Sequence, residues 1–198
     1  ILPVHGYAAA DFGRLAARWL GVGLVLHEHF ADPRMPRYQG WADRALRGLT
    51  HRAIAVSGST RDFLVNERHV PAERVRVLWN GAPLDEFAPV PREQALAVRR
   101  DLGLAHDHLV VGSVGRLSAQ KGHRHLLDAL PPVFAAHPQA RLLLVGDGDE
   151  ERPLRDQAGQ LGLADRVVFA GHRSDVPAVL GSIDVLAISS LYEGTPLA

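Results

Sequence analysis

Residues 108–125 read H-L-V-V-G-S-V-G-R-L-S-A-Q-K-G-H-R-H, and no other stretch limits the possible folds of this chain as tightly. Leu109, Val110, Val111 and Val114 form a short apolar run of the kind buried on both faces of a parallel sheet. Gly112 and Gly115 allow a tight turn at its carboxyl end. Arg116 and Lys121 supply fixed cations, and Gly122 stands where a new helix begins. In an open α/β sheet, ligands bind outside the carboxyl ends of the strands, near helix N-termini. Cations, backbone N–H groups and the positive end of a helix together suit a phosphate or diphosphate. The glycines are spaced G-x-x-G, so there is no dinucleotide fingerprint, and no G-K-[ST] follows to make a P-loop. A solvated basic loop after a common glycine turn is the plainer reading of these residues alone.

The rest of the chain repeats the same grammar. Strands are predicted at 1–4, 22–26, 53–56, 75–79, 109–114, 141–145, 167–170 and 185–189, with helical patterns between most of them. Asp11 is a plausible cap and Gly21 a stop for the first helix, and Ser57 caps another. Pro131-Pro132 inside the pattern Leu126, Leu127, Leu130, Val133 and Phe134 predicts a kink or a restarted helix. Strand–loop–helix recurring about every 25 residues predicts parallel sheets with helices on both faces, an α/β fold. Three prolines between Ala82 and Pro91 mark a linker, giving two Rossmann-like halves, 1–84 and 85–198.

Composition closes off several classes. The 198 residues carry 22 basic and 22 acidic side chains, a balance that argues against a general nucleic-acid binder. Without cysteine there is no disulfide framework, thiolate chemistry or zinc–cysteine site. No apolar run reaches membrane-spanning length. The chain opens inside an apolar run at Ile1 and stops at Ala198, which reads as an internal fragment.

Chemistry in such a fold should gather at the strand ends. Those positions hold His5 with Gly6, Glu28 with His29, Ser57, and Asn80 with Gly81 in the first half. In the second half they hold Gly115, Arg116 and Lys121, then Gly146-Asp147-Gly148, then Gly171 with His172 and Arg173, then Tyr192-Glu193-Gly194-Thr195-Pro196. Each has an ordinary alternative. His5 can be structural, Glu28 and His29 an exposed pair, Gly146-Asp147-Gly148 a mere turn, His172 and Arg173 solvated, and Glu193 a helix-start acid.

Taken in order, these motifs resemble family-4 (group 1) retaining glycosyltransferases of the GT-B fold. The matching residues are V-G-S-V-G-R-L-S-A-Q-K-G at 111–122, L-L-L-V-G-D-G-D-E at 142–150, V-V-F-A-G-H-R-S-D-V at 167–176 and S-L-Y-E-G-T-P-L-A at 190–198. The first half contributes H-G-Y at 5–7, A-V-S at 55–57 and W-N-G-A-P-L-D-E-F at 79–87. The resemblance implies two Rossmann-like domains facing a cleft, the first on the acceptor side and the second binding a nucleotide-sugar donor. It implies transfer of a sugar to a glycan or lipid-linked acceptor with retention of anomeric configuration, as in polysaccharide biosynthesis. Arg116 and Lys121 match the basic pair that grips the donor diphosphate, and Gly115 the point where backbone approaches it. Glu193 matches the first glutamate of an E-x7-E motif, whose second would fall at position 201, and His5 matches the acceptor-side histidine near the reacting sugar. Gly146, Gly148, His172, Arg173, Gly194 and Thr195 match weaker nucleotide or sugar contacts. No metal or other cofactor is expected, because Asp147-Gly148-Asp149 reads as a turn and the basic pair would take the place of a cation. A cytoplasmic protein without nucleic-acid partners is implied, with the fragment inactive by itself. Arg34 and Arg37 beside Met35 and Tyr38 fit either a peripheral membrane contact or a solvated loop. A GT-B-fold sugar-nucleotide epimerase or phosphorylase, and a non-catalytic nucleotide-binding homologue, are the alternatives.

Overall fold

The computed structural model describes residues 1–32, 35–82 and 84–195. Arg34, named above for a membrane contact, lies outside them, as do Pro196, Leu197 and Ala198. The described chain forms two compact units, 1–82 with 192–195, and 84–191. Among the described residues no helix is long and apolar enough to cross a membrane.

The first unit alternates β1 (Leu2–His5), α1 (Gly6–Leu20), β2 (Leu24–Glu28), α2 (Arg37–Leu46), β3 (Arg52–Ala55), α3 (Gly58–Asn66) and β4 (Val75–Val77). Its sheet runs β1-β2-β3-β4, all parallel. Right-handed crossovers that keep stepping in one direction place their helices on one face of the sheet. Accordingly, Ala10 and Ala17 of α1 and Leu64 of α3 pack into one core with Val4, Leu24, Leu26, Ala53 and Ala55. The expectation of helices on both faces therefore fails for the described part of this unit, and strand order is the reason.

The second unit alternates α4 (Arg92–Asp101), β5 (Leu109–Val114), α5 (His123–Ala136), β6 (Ala140–Val145), α6 (Glu151–Gln160), β7 (Val167–Gly171), α7 (Val176–Gly181) and β8 (Val185–Leu186). The strand order β7-β6-β5-β8 steps one way and then reverses, so here both faces are covered. Leu142 and Leu144 of β6 pack with Leu127, Leu130 and Phe134 of α5 and Leu154 of α6. Leu143 and Val145, alternate residues of the same strand, pack with Val98 of α4 and Val179 of α7. The reversal also creates a topological switch point between the carboxyl ends of β5 and β8, the place where open α/β sheets bind ligands.

Local details depart from expectation in instructive ways. Helix α1 begins at Gly6 with His5 at its N-cap, not at Asp11. Asp11 instead accepts from Arg14 and Gln39, at 3.2 and 2.8 Å, so its carboxylate is spent on tertiary contacts. Helix α5 runs unbroken through Pro131 and Pro132. The two missing N–H donors cost hydrogen bonds, but Leu127, Leu130 and Phe134 stay on one buried stripe across the prolines, and packing decides. The last strand is shorter than predicted, ending at Leu186.

Candidate active site

In the second unit the strand ends are stitched together by main chain. The Gly115 N–H donates to Val145 O at 2.9 Å, that of Leu117 to Asp147 O at 2.7 Å, and that of Gly146 to Gly171 O at 2.8 Å. The two glycine motifs interlock. A Cβ on Gly146 would sit 2.1 Å from the Gly115 carbonyl oxygen, and one on Gly148 would sit 2.2 Å from that of Leu117. Both glycines also have φ in the region that side chains avoid, at +132° and +154°. Close backbone approach is thus what this geometry asks of Gly146 and Gly148, and Asp147 contributes its carbonyl to the same junction.

The junction fixes the loop between β5 and α5. The Lys121 side chain folds back over Gly115, where an added Cβ would meet its Cε at 3.6 Å and its Nζ at 4.0 Å. Lys121 O accepts from Ser189 Oγ at 2.9 Å and Gln120 O from the Leu191 N–H at 2.8 Å. These bonds hold the loop against the segment leaving β8, at the switch point. Arg116 is exposed on the same loop. No side chain caps α5, whose first residue follows Gly122 in the left-handed conformation. A helix start without a side-chain cap, an ammonium and a guanidinium on one loop are the groups that a polyanion site requires. Gly115 and Lys121 thus lie together on this loop.

His123, the first residue of α5, is a feature that sequence reasoning overlooked. It is only 3% exposed, its Nδ1 has no protein partner, and burial, then the Lys121 charge, pull its pKa below the ordinary histidine value. Both influences disfavour the charged imidazolium. Its place in a polar H-R-H sequence gives no hint of this.

His172 is exposed just after β7, while Arg173 turns away from the loops. The Arg173 guanidinium donates to both oxygens of Asp175, at 2.9 and 2.8 Å, and to Asp101 at 2.6 Å. Those carboxylates raise its pKa further. All three nitrogens of the fork are engaged, so Arg173 is a clamp between α4 and the start of α7.

In the first unit three histidines gather at the carboxyl ends of β1 and β2. His5 pairs with His27 in the parallel register, and His29 follows His27 by two residues. His5 Nδ1 and His29 Nε2 are 2.8 Å apart and hydrogen-bonded, with the rings stacked at 12°. Burial, then the neighbouring imidazoles, lower the pKa of His27, and burial and His5 lower that of His29. His5 and His29 line a cavity of about 300 Å³ that Phe30 and Asp32 share. The segment carrying Glu193 belongs to this unit. Gly194 lies so close to the His29 carbonyl that no Cβ fits, and Thr195 Oγ1 donates to Val56 O at 2.6 Å. Glu193 and His5 are thus both attached to the surroundings of His29.

Glu28, a strand-end candidate whose ordinary alternative is an exposed pair with His29, is 4% exposed and pairs with Arg68. Strand alternation puts it on the buried face with Leu24 and Leu26. Arg68 also donates to both oxygens of Asp43, at 2.8 and 3.0 Å, and Asp43 accepts in addition from Arg14. Arg14 Nε reaches Thr50 Oγ1 at 2.9 Å. Burial pushes the Glu28 carboxyl up, with Arg68 opposing. For Asp43 burial is outweighed by Arg68 and Arg14, which hold it below the usual carboxylate range.

Comparison with known proteins gives these features a context. Residues 96–198 match the family Glycosyl transferases group 1, and residues 1–86 match Glycosyltransferase Family 4. The UDP-Gal:alpha-D-GlcNAc-diphosphoundecaprenol alpha-1,3-galactosyltransferase of Escherichia coli is 29% identical over 208 residues, covering 100% of this chain and 54% of that protein. The 2-deoxystreptamine glucosyltransferase of Streptomyces kanamyceticus is 27% identical, covering 91% of this chain and 50% of that protein. Among solved structures, Anabaena Alr3699/HepE in complex with UDP superposes with a TM-score of 0.79 at 27% identity, over 96% of this chain and 53% of that one. The same protein with UDP-glucose gives 0.78 at 28%, over 95% and 53%. The chain thus spans about half the length of these relatives. Its fold, two parallel-sheet units, is that of the GT-B glycosyltransferases. With the match at 96–198 taking in more than half of its residues, the chain belongs to the group 1 glycosyl transferases.

Proposed function

We propose that the protein transfers a glycosyl group from a nucleoside-diphosphate sugar to a glycan or lipid-linked acceptor, with retention at the anomeric carbon and without a metal ion. The observation that carries this reading is the loop of Gly115, Arg116 and Lys121 at the β5/β8 switch point, lying against the uncapped start of α5. As the glycosidic bond to the diphosphate breaks, negative charge grows on the leaving oxygen. Preorganised cations and helix N–H groups stabilise that charge more in the transition state than in the ground state. Lys121 and Arg116 would grip the diphosphate, Glu193 and the adjoining Gly194 and Thr195 would lie by the donor sugar, and His5 would serve the acceptor side. His172 would reach the nucleotide, with Gly146 and Gly148 acting through the backbone junction, while Arg173 is engaged by Asp101 and Asp175 and would serve stability in place of ligand contact. UDP and UDP-glucose bound to Anabaena Alr3699/HepE support a nucleotide-sugar donor, as do the donor and lipid-linked acceptor in the name of the Escherichia coli relative.

Calorimetry on the full-length protein with UDP, GDP and ADP tests the donor site. Tight binding of one nucleotide, lost by tenfold or more (about 1.4 kcal/mol) in Arg116→Ala and Lys121→Ala, is the expected result. A folded protein that binds none of the three refutes the reading. Transfer should persist in EDTA, and a strict magnesium or manganese requirement would reassign the diphosphate contact to a metal.

A further inference from the structure

We propose that His5, His27 and His29 form a binding site for a divalent transition-metal ion of the zinc, nickel or copper class. The ligand atoms of these three rings all lie within 4.8 Å of one another. Two independent features of the fold put them there. The parallel register sets His5 of β1 beside His27 of β2, and the two-residue period of an extended chain returns His29 to the same face as His27. Glu28, between them, also lines the adjoining cavity but is 4% exposed and held by Arg68, so the clustered donors are the three imidazoles.

The spacing matches what an ion needs. Zinc–nitrogen bonds are roughly 2.0–2.1 Å, so ligands around one ion lie about 3–4 Å apart. The hydrogen-bonded pair His5 and His29, at 2.8 Å, must open by roughly half an ångström, and a pair at the 4.8 Å limit must close by about 1.5 Å, movements on the scale of side-chain rotation. A metal would replace the His5–His29 hydrogen bond with two coordinate bonds. The ring centroids already lie 4.2–5.1 Å apart, and the stacked His5 and His29 rings would turn to point a nitrogen each at the ion. The adjoining cavity of about 300 Å³ has room for water at the remaining coordination positions, and Asp32 stands in its wall. Imidazole donors favour zinc, nickel and copper, whereas magnesium and calcium need oxygen ligands, and this sets the selectivity. The three histidines belong to the first unit and none of these observations involves the β5–α5 loop, so the proposal stands whether or not the chain binds a nucleotide.

Titration of the metal-free chain with zinc chloride, and separately with magnesium chloride, provides the test. One zinc ion per chain is expected, with affinity reduced roughly tenfold or more in His27→Ala and in His29→Ala, and no heat from magnesium. Nuclear magnetic resonance of the imidazole rings in the unaltered protein decides the matter even if those variants fail to fold. Zinc should shift three of the 11 histidines, those at 5, 27 and 29. A chain with native circular dichroism that takes up no zinc, zinc affinity unchanged in both folded variants, or zinc shifting a different set of histidines would each overturn the proposal.

Discussion

A single methyl group is the most informative perturbation at the residue scale. Gly146 and Gly148 are read from sequence as ligand contacts or as a turn, yet the space each leaves is filled by the backbone of residues 115–117. Gly146→Ala should therefore cost about 1–3 kcal/mol in a urea titration, through overpacking and an unfavourable φ. It should also weaken nucleotide binding, although residue 146 need not touch the ligand. An alanine variant of unchanged stability would show that the junction yields easily. Such a role could not be read from the sequence. A G-D-G turn reports that the chain bends, not which distant carbonyl it bends against. The course of the β5–α5 loop was legible for the opposite reason. Strand, glycines, cations and helix start are contiguous, so the local pattern already contained the local geometry.

At the scale of elements, strand positions and the alternation of strand and helix follow from apolar runs bounded by glycine and proline. Sheet order does not. Whether successive crossovers continue or reverse decides which faces are covered, and that decision depends on long-range pairing absent from any window of sequence. Arg173 belongs here too. A basic residue after a strand resembles a phosphate contact, but acids at 101 and 175 claim it, the former 72 residues away. Arg173→Ala should lower stability by about 1 kcal/mol or less, since the pairs are partly exposed. Nucleotide affinity should stay within a few-fold of wild type, whereas Arg116→Ala loses it. If Arg173→Ala abolishes binding in a folded protein, the clamp assignment is wrong.

For the molecule as a whole, each unit has its own core, and the first is organised around Arg14, Asp43, Arg68 and Glu28. Asp43→Asn removes the anion between two fully buried guanidinium groups and should cost about 3–5 kcal/mol. Its sign with pH follows from linkage. Asp43 is depressed in the folded state, so its contribution is complete above the ordinary aspartate value near 4. It is lost as pH falls below that value towards the folded one. Unfolding of wild type and Asp43→Asn by denaturant should therefore differ by a constant amount from pH 8 to 5 and converge below about pH 4. A gap that persists unchanged at pH 3 would contradict the assignment. The sequence hid this network because its members are spread from residue 14 to residue 68, each on a different element and each looking like an ordinary surface charge.

That network also bears on how such a chain can change over generations. Replacing any one of its members strands a buried charge, while replacing several together with apolar residues of matching volume is tolerated far better. Lineages descending from this sequence should therefore keep the whole set or exchange it as a block, with few viable intermediates. The ancestry of the first unit would then be recorded in residues that hold its interior together.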